Sequence, residues 1–359
     1  MNNSEIDDIV PPWSHPDNIV HYKAVAEIEL FYHVVLKPAV LVLAVVTNII
    51  NCIVFRRQGL MDRMNLCLFV LSLVDMTYLV YSMTFSITYW IKLSDLEVGD
   101  FIYYSARCYG MGVSYGLRET SSCINTVIAV ERCLCVLFPL RAKYLVSTTT
   151  MGILLVAIVI TMQVAFVTNP IKNFIFQAND GDTNETWWNQ TLSDSWQKNE
   201  FLRAYDKIED TVMQIVLPVL NFLLVSGATA ITVVSLRAAI LWRQKTSSAN
   251  SEAYFQQVAL TKMLVLVSCA FVTSKLPMIS ITITRIVHPS FAPSGCQYNL
   301  YKVFEMMSRY FPYLHSSCTF FIYYFSSLRF RTEVQRIWGC VYKSMFFARA
   351  NQSTRLAFQ

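Results

Sequence analysis

Charge is scarce in this chain. Of its 359 residues 15% are Asp, Glu, Lys or Arg, against about 25% in an average soluble domain. Hydrophobic residues supply 54%, and mean hydropathy is +0.40. Such a composition excludes a disordered chain, a collagen-like one and an ordinary water-soluble enzyme. Glycine (10) and proline (11) are also few and gather nowhere into a linker, which speaks against a division into separate domains. No internal repeat or low-complexity tract is present. The ten cysteines are scattered, mostly within apolar runs, without the CxxC or Cys/His spacing of a zinc site; the default role for most is that of a small buried apolar residue. The first thirty residues are acidic and polar, with no short apolar core behind a basic start. The first apolar run is therefore expected to act as its own insertion signal.

Seven apolar stretches are present, at roughly 31–55, 65–91, 105–137, 148–168, 211–236, 259–287 and 300–325. Each reaches the roughly 20 residues that a membrane-spanning helix needs. Within hydrocarbon every backbone polar group must be satisfied inside the segment, which selects helices. The expectation is an all-α membrane protein: an external segment 1–30, a seven-transmembrane-helix bundle over 31–327, and a cytoplasmic amphipathic helix and tail over 328–359. Glu305, Arg309 and His315 make the seventh stretch the weakest.

The formal charge of +5 is informative through its placement. Arg56, Arg57, Arg63, Arg141, Lys143, Arg237, Arg243, Lys245 and the basic tail lie in one set of loops, cytoplasmic by the positive-inside rule. That pattern suits a lipid surface rather than nucleic acid. Acids dominate the other set, including Asp7, Asp8, Glu29, Asp100, Asp194 and Glu200. An external amino terminus and an internal carboxyl terminus follow. Glycosylation sequons at Asn2, Asn184 and Asn189 fall on the expected outer side.

Specific residues narrow the field. Glu131-Arg132-Cys133 ends the third stretch, with Pro139-Leu140 seven residues after the arginine. Asn48 lies in the first stretch, Asp75 in the second, Pro218 in the fifth, Phe271 and Pro277 in the sixth, and Thr319 to Tyr323 in the seventh. Together these resemble a rhodopsin-like G-protein-coupled receptor across the whole membrane region. The texture around Arg57-Gln-Gly-Leu60 and Glu131-Arg-Cys-Leu-Cys-Val136 is similar to invertebrate receptors of the FMRFamide-peptide and chemosensory type.

That resemblance implies roles. Glu131 restrains Arg132 at rest and frees it for a partner, Leu140 is an apolar contact for a heterotrimeric G protein, and Tyr323 belongs to the same coupling end. Pro218 and Pro277 each remove a helix hydrogen bond, with Phe271 and Pro277 forming a hinge. A carboxylate amid apolar helix, Asp75 needs partners or a cation. Asn48, Ser121 and Thr319 are the expected polar core, serving either structure or a sodium ion. Thr319 stands where such receptors carry asparagine. The implied ligand pocket comprises Ser114, Tyr115, Arg118, Glu119, Lys275, Met278, Arg285, Glu305, Arg309 and Tyr313. Arg118, Glu119 and Lys275 are either an internal charge network or contacts for a ligand anion; Glu305 and Arg309, four apart, can pair with each other.

Ser114 in place of an aspartate speaks against an amine ligand, and Tyr313 in place of a lysine against retinal. The second outer loop has no cysteine, so a Cys108–Cys296 disulfide is the remaining expected external pairing. Cys340 is a candidate palmitoylation site. The expected partners are lipid, a G protein and an extracellular ligand. Acidic outer loops favour a short basic neuropeptide, with a small environmental molecule as the alternative. A transporter or channel is a further alternative, for which neither inverted repeats nor a continuous polar face is found.

Overall fold

A computed structural model describes residues 12–138, 147–179, 186–246, 252–292 and 295–339. Pro139, Leu140, Asn2, Asn184 and Cys340 lie outside these described residues. Helices α1 (Tyr22–Gln58), α2 (Arg63–Ser94), α3 (Leu96–Leu137), α4 (Thr148–Lys172), α5 (Glu200–Trp242) and α6 (Glu252–Val287) precede a seventh span in two pieces, α7 (Tyr298–Ser308) and α8 (Phe311–Ser326). A last helix, α9, covers 328–339. Between α4 and α5 the antiparallel strands β1 (Asn173–Asn179) and β2 (Thr186–Leu192) pair in register, Asn173 opposite Leu192.

Local chemistry sets several boundaries. Gly59 ends α1 at φ 97°, a conformation that costs glycine little. Asp62 then caps α2, its Oδ1 accepting from the backbone N–H groups of Met64 (2.9 Å) and Asn65 (3.0 Å). The seventh span breaks because Pro312 has no N–H to give the carbonyl of Ser308. Pro277 sits inside α6 without ending it. The fifth span contains a π-helical stretch, Glu209–Val216, just before Pro218.

Six helices among the described residues are long and apolar enough to cross a membrane; with the broken α7–α8 span they form the seven-helix bundle. On α4, Ile153, Val156, Ile160 and Val164 share one face and are all well exposed, an apolar outer surface that suits lipid and not water. Helix α3 packs against α2, α4, α5, α6 and the hairpin. Toward the Glu131 end, Phe55, Leu68, Leu71, Ile124, Ile128, Met263, Leu264, Tyr323 and Phe330 form the main core. Here Tyr323 lies edge-on to Phe55 at 5.2 Å and tilted against Phe330 of α9 at 5.5 Å. Since lipid tails are as apolar as these side chains, close packing rather than escape from water holds the helices together.

Two helices start earlier than hydropathy indicates, α1 at Tyr22 instead of 31 and α5 at Glu200 instead of 211. Charges are scattered through both starts, Lys23, Glu27 and Glu29 in α1 and Glu200, Arg203, Asp206 and Lys207 in α5, and they end an apolar stretch while the helix continues.

Candidate functional site

At the amino-terminal end of the bundle a cavity of about 140 Å³ is lined from α1, α2, α3, α7 and α8. Residues before α1 lie against α7: the buried Asn299 Nδ2 donates to the carbonyls of Trp13 (3.0 Å) and Val20 (2.9 Å), and its N–H to Asn18 Oδ1 (3.0 Å). The hairpin packs on α3, with Trp188 4.8 Å from Phe101. Ties from α4 to α5 anchor its base. Thr168 and Asn169 donate to Glu209, and Lys172 pairs with Asp206 at 2.8 Å.

The lining is rich in charge and rings. Arg309 Nη2 meets Glu305 at 2.5 Å, Lys302 Nζ meets Glu29 at 2.7 Å, and Arg118 Nε meets the fully buried Glu119 at 2.7 Å. Tyr115 lies beneath two guanidinium groups, Arg118 at 5.1 Å and Arg309 at 5.8 Å. Tyr313 stacks on Tyr78 at 5.5 Å and donates its hydroxyl to Ser82 Oγ at 3.3 Å. Of the residues expected from sequence, Ser114, Tyr115, Arg118, Glu305, Arg309 and Tyr313 line this cavity.

The remaining four do not. Glu119 is behind Arg118, Lys275 is deeper, Met278 is absent from the lining, and Arg285 is exposed near the end of α6. Lys37, Arg107 and Lys302 line the cavity without having been singled out. Lys37 could have been found, because Lys37-Pro38 sits inside an apolar run where a cation demands a reason.

Below the cavity lies a second, polar one of about 20 Å³, with Asp75, Tyr78, Arg118, Ser121, Lys275, His315 and Ser316 in its wall. Ser121 Oγ donates to Asp75 Oδ1 at 2.5 Å. Asn48 donates instead to Ser316 Oγ at 2.9 Å, and Thr319 turns back to the Ser316 carbonyl at 2.8 Å. Of the three expected partners, Ser121 bonds Asp75 directly, while Ser316 was not anticipated. This volume holds about one water, and Lys275 already brings an ammonium to the same wall. The set does not fit a sodium ion. Phe271 is edge-on to His315 at 5.7 Å with Lys275 Nζ 5.5 Å from its ring, so the hinge residue adjoins this core.

At the opposite end Glu131 is buried between two arginines. Arg132 Nε donates to Oε2 at 2.5 Å and Arg63 Nε lies 2.8 Å from Oε1. Cys135 Sγ joins them, 3.2 Å from Glu131 Oε1 and 3.1 Å from Arg63 Nη2. The expected pair is thus a cluster, and Arg63, read in the sequence only as a loop cation, is part of it.

Cys108 and Cys296 are both free, which corrects the expected disulfide. Cys108 is buried on α3, and Cys296 belongs to a turn closed on itself by the Gly295 N–H to the Ala292 carbonyl and the Gln297 N–H to the Ser290 carbonyl, each 3.0 Å. Asn189 is on β2, opposite Phe176.

A wider cleft of about 740 Å³ lies between α6 and α7 beside Pro277; among the described residues no Lys, Arg, Asp or Glu lines it. It lacks the charge to orient a polar ligand, but it leaves α6 unpacked on one flank at Pro277.

Residues 35–341 match the family model described as "Serpentine type 7TM GPCR chemoreceptor Srw". No curated protein matches the chain.

Proposed function

The chain belongs to the Srw family of serpentine seven-transmembrane chemoreceptors, and from that premise we propose that it is a plasma-membrane receptor for a small external molecule that signals through a heterotrimeric G protein. The amino terminus and hairpin are external, and the Glu131 end is cytoplasmic. One observation carries the reading: Arg118 and Tyr78 line both the outer cavity and the polar core around Asp75. A ligand on these side chains therefore acts directly on the groups beside Phe271 and Lys275. It shifts the resting equilibrium only by its differential affinity for the two states. In the active state Arg132 leaves Glu131, and α6 pivots at Pro277 into its unpacked flank.

Cavity size favours a small ligand over a peptide. A cavity of about 150 Å³ takes up a benzene molecule, close to the 140 Å³ found here. A basic neuropeptide inserting one side chain is the second reading, supported by exposed carboxylates at Asp194 and Glu200 beside the hairpin.

The test is ligand-dependent nucleotide exchange on a purified G protein. Arg132→Ala is expected to abolish exchange while ligand still raises the melting temperature of the receptor. Undiminished exchange in that variant would overturn the coupling role.

A further inference from the structure

Five cationic side chains line the outer cavity: Lys37, Arg107, Arg118, Lys302 and Arg309. Carboxylates match three of them, Glu29 on Lys302, Glu305 on Arg309 and Glu119 on Arg118. Lys37 and Arg107 meet no carboxylate among the described residues. Lys37 is 5% exposed, and among the described residues its Nζ lies over two ring faces, Phe85 at 5.7 Å and Tyr313 at 6.0 Å. Arg107 is accessible at the mouth, with Nη1 donating to the Tyr103 hydroxyl at 2.9 Å. Deeper in, Arg118 Nη2 is buried with no acceptor among the described residues. A membrane helix holds an ammonium in such a place only at a cost, and a ring face compensates it less than an anion does.

We propose that the ligand is a small organic anion, its carboxylate or other acidic group held between Lys37 and Arg107 and its apolar body packed among Tyr32, Tyr78, Phe85 and Tyr313. This rests on the receptor reading for its biological meaning, but not for its test. Two cations without a carboxylate partner among the described residues, one buried and one at the mouth, face this cavity and together favour a negatively charged ligand. The surrounding rings exclude water from the rest of the ligand and favour an aromatic or short aliphatic acid over inorganic chloride. A cationic amine is rejected by the same charges.

The experiment uses the full chain in nanodiscs at fixed ionic strength. Benzoate and phenylacetate are compared with benzamide, 2-phenylethylamine and chloride, reading thermal stability and binding. Benzoate or phenylacetate is expected to stabilise the receptor, with the amide and amine at least tenfold weaker. Lys37→Met and Arg107→Met each weaken acid binding at least tenfold, whereas Arg107→Lys restores most of it. Removing Lys37 also leaves the ligand-free receptor at least as stable as the parent, which separates lost recognition from lost folding. Equal binding of acid and amide, stabilisation by chloride alone, or no response to either acid overturns the proposal. Acid binding that never drives nucleotide exchange supports the anion site and removes the receptor reading. Exchange driven by uncharged molecules does the reverse.

Discussion

Replacing Glu131 by glutamine should make the receptor signal without ligand. Glu131 accepts from Arg132 at 2.5 Å and lies 2.8 Å from Arg63, and it is buried. Hydrogen bonds to charged groups contribute about 1.5–3 kcal/mol each. Glutamine keeps one acceptor oxygen but no charge, so the closed state loses about one such contribution. At 1.36 kcal/mol per factor of ten, the ratio of active to resting receptor rises about 10- to 150-fold. From a resting active population of about 1%, that gives about 10% to 60%. Basal nucleotide exchange on a purified G protein reads this directly, normalised to receptor amount. Arg63→Met leaves the Arg132 contact in place and should raise basal exchange less than Glu131→Gln, and the double variant should add little to Glu131→Gln alone. Unchanged basal exchange in well-folded Glu131→Gln would refute the restraint.

Three further outcomes are expected. Glu119→Ala leaves the buried Arg118 unpaired and should cost about 3–5 kcal/mol, seen as a lower melting temperature, and Arg118→Leu/Glu119→Leu should recover most of it; a single variant as stable as the parent would dismiss the pair. Asn299→Ala removes two side-chain hydrogen bonds to residues before α1, worth about 1–3 kcal/mol together, so hydrogen exchange over residues 12–21 should quicken about 5- to 150-fold; unaltered exchange would show that Asn299 does not hold this segment. Exchanging sodium for choline at constant ionic strength should leave stability and basal signalling unchanged, and a sodium-dependent shift would contradict the reading that the core around Asp75 does not suit that ion.

Six spans were legible from hydrophobic length alone; the seventh was legible from its spacing and flanks, since Glu305 and Arg309 lower its hydropathy and pair with each other four residues apart. The hairpin at 173–192 was not: its residues read as a long aromatic loop, and its strands exist by pairing with each other and packing on α3. Charged site residues divided by sequence distance. Arg118 and Glu119 are adjacent, so their pairing was open to reading, and so was Glu131 with Arg132. Arg63 reaches Glu131 from another helix, and Lys37 and Arg107 come from different helices to line one cavity. Contacts of that kind depend on helix rotation, which apolar periodicity leaves loosely defined when one face meets protein and the other meets lipid. The polar core shows the same limit, since the serine that connects Asn48 to its neighbourhood is Ser316 of α8 and carries no local signal.

Arg118 and Tyr78 form a partition between two chambers, lining the upper and the lower alike. On the proposed receptor reading, what fills the upper chamber is felt in the lower one through the two side chains they share, Arg118 and Tyr78.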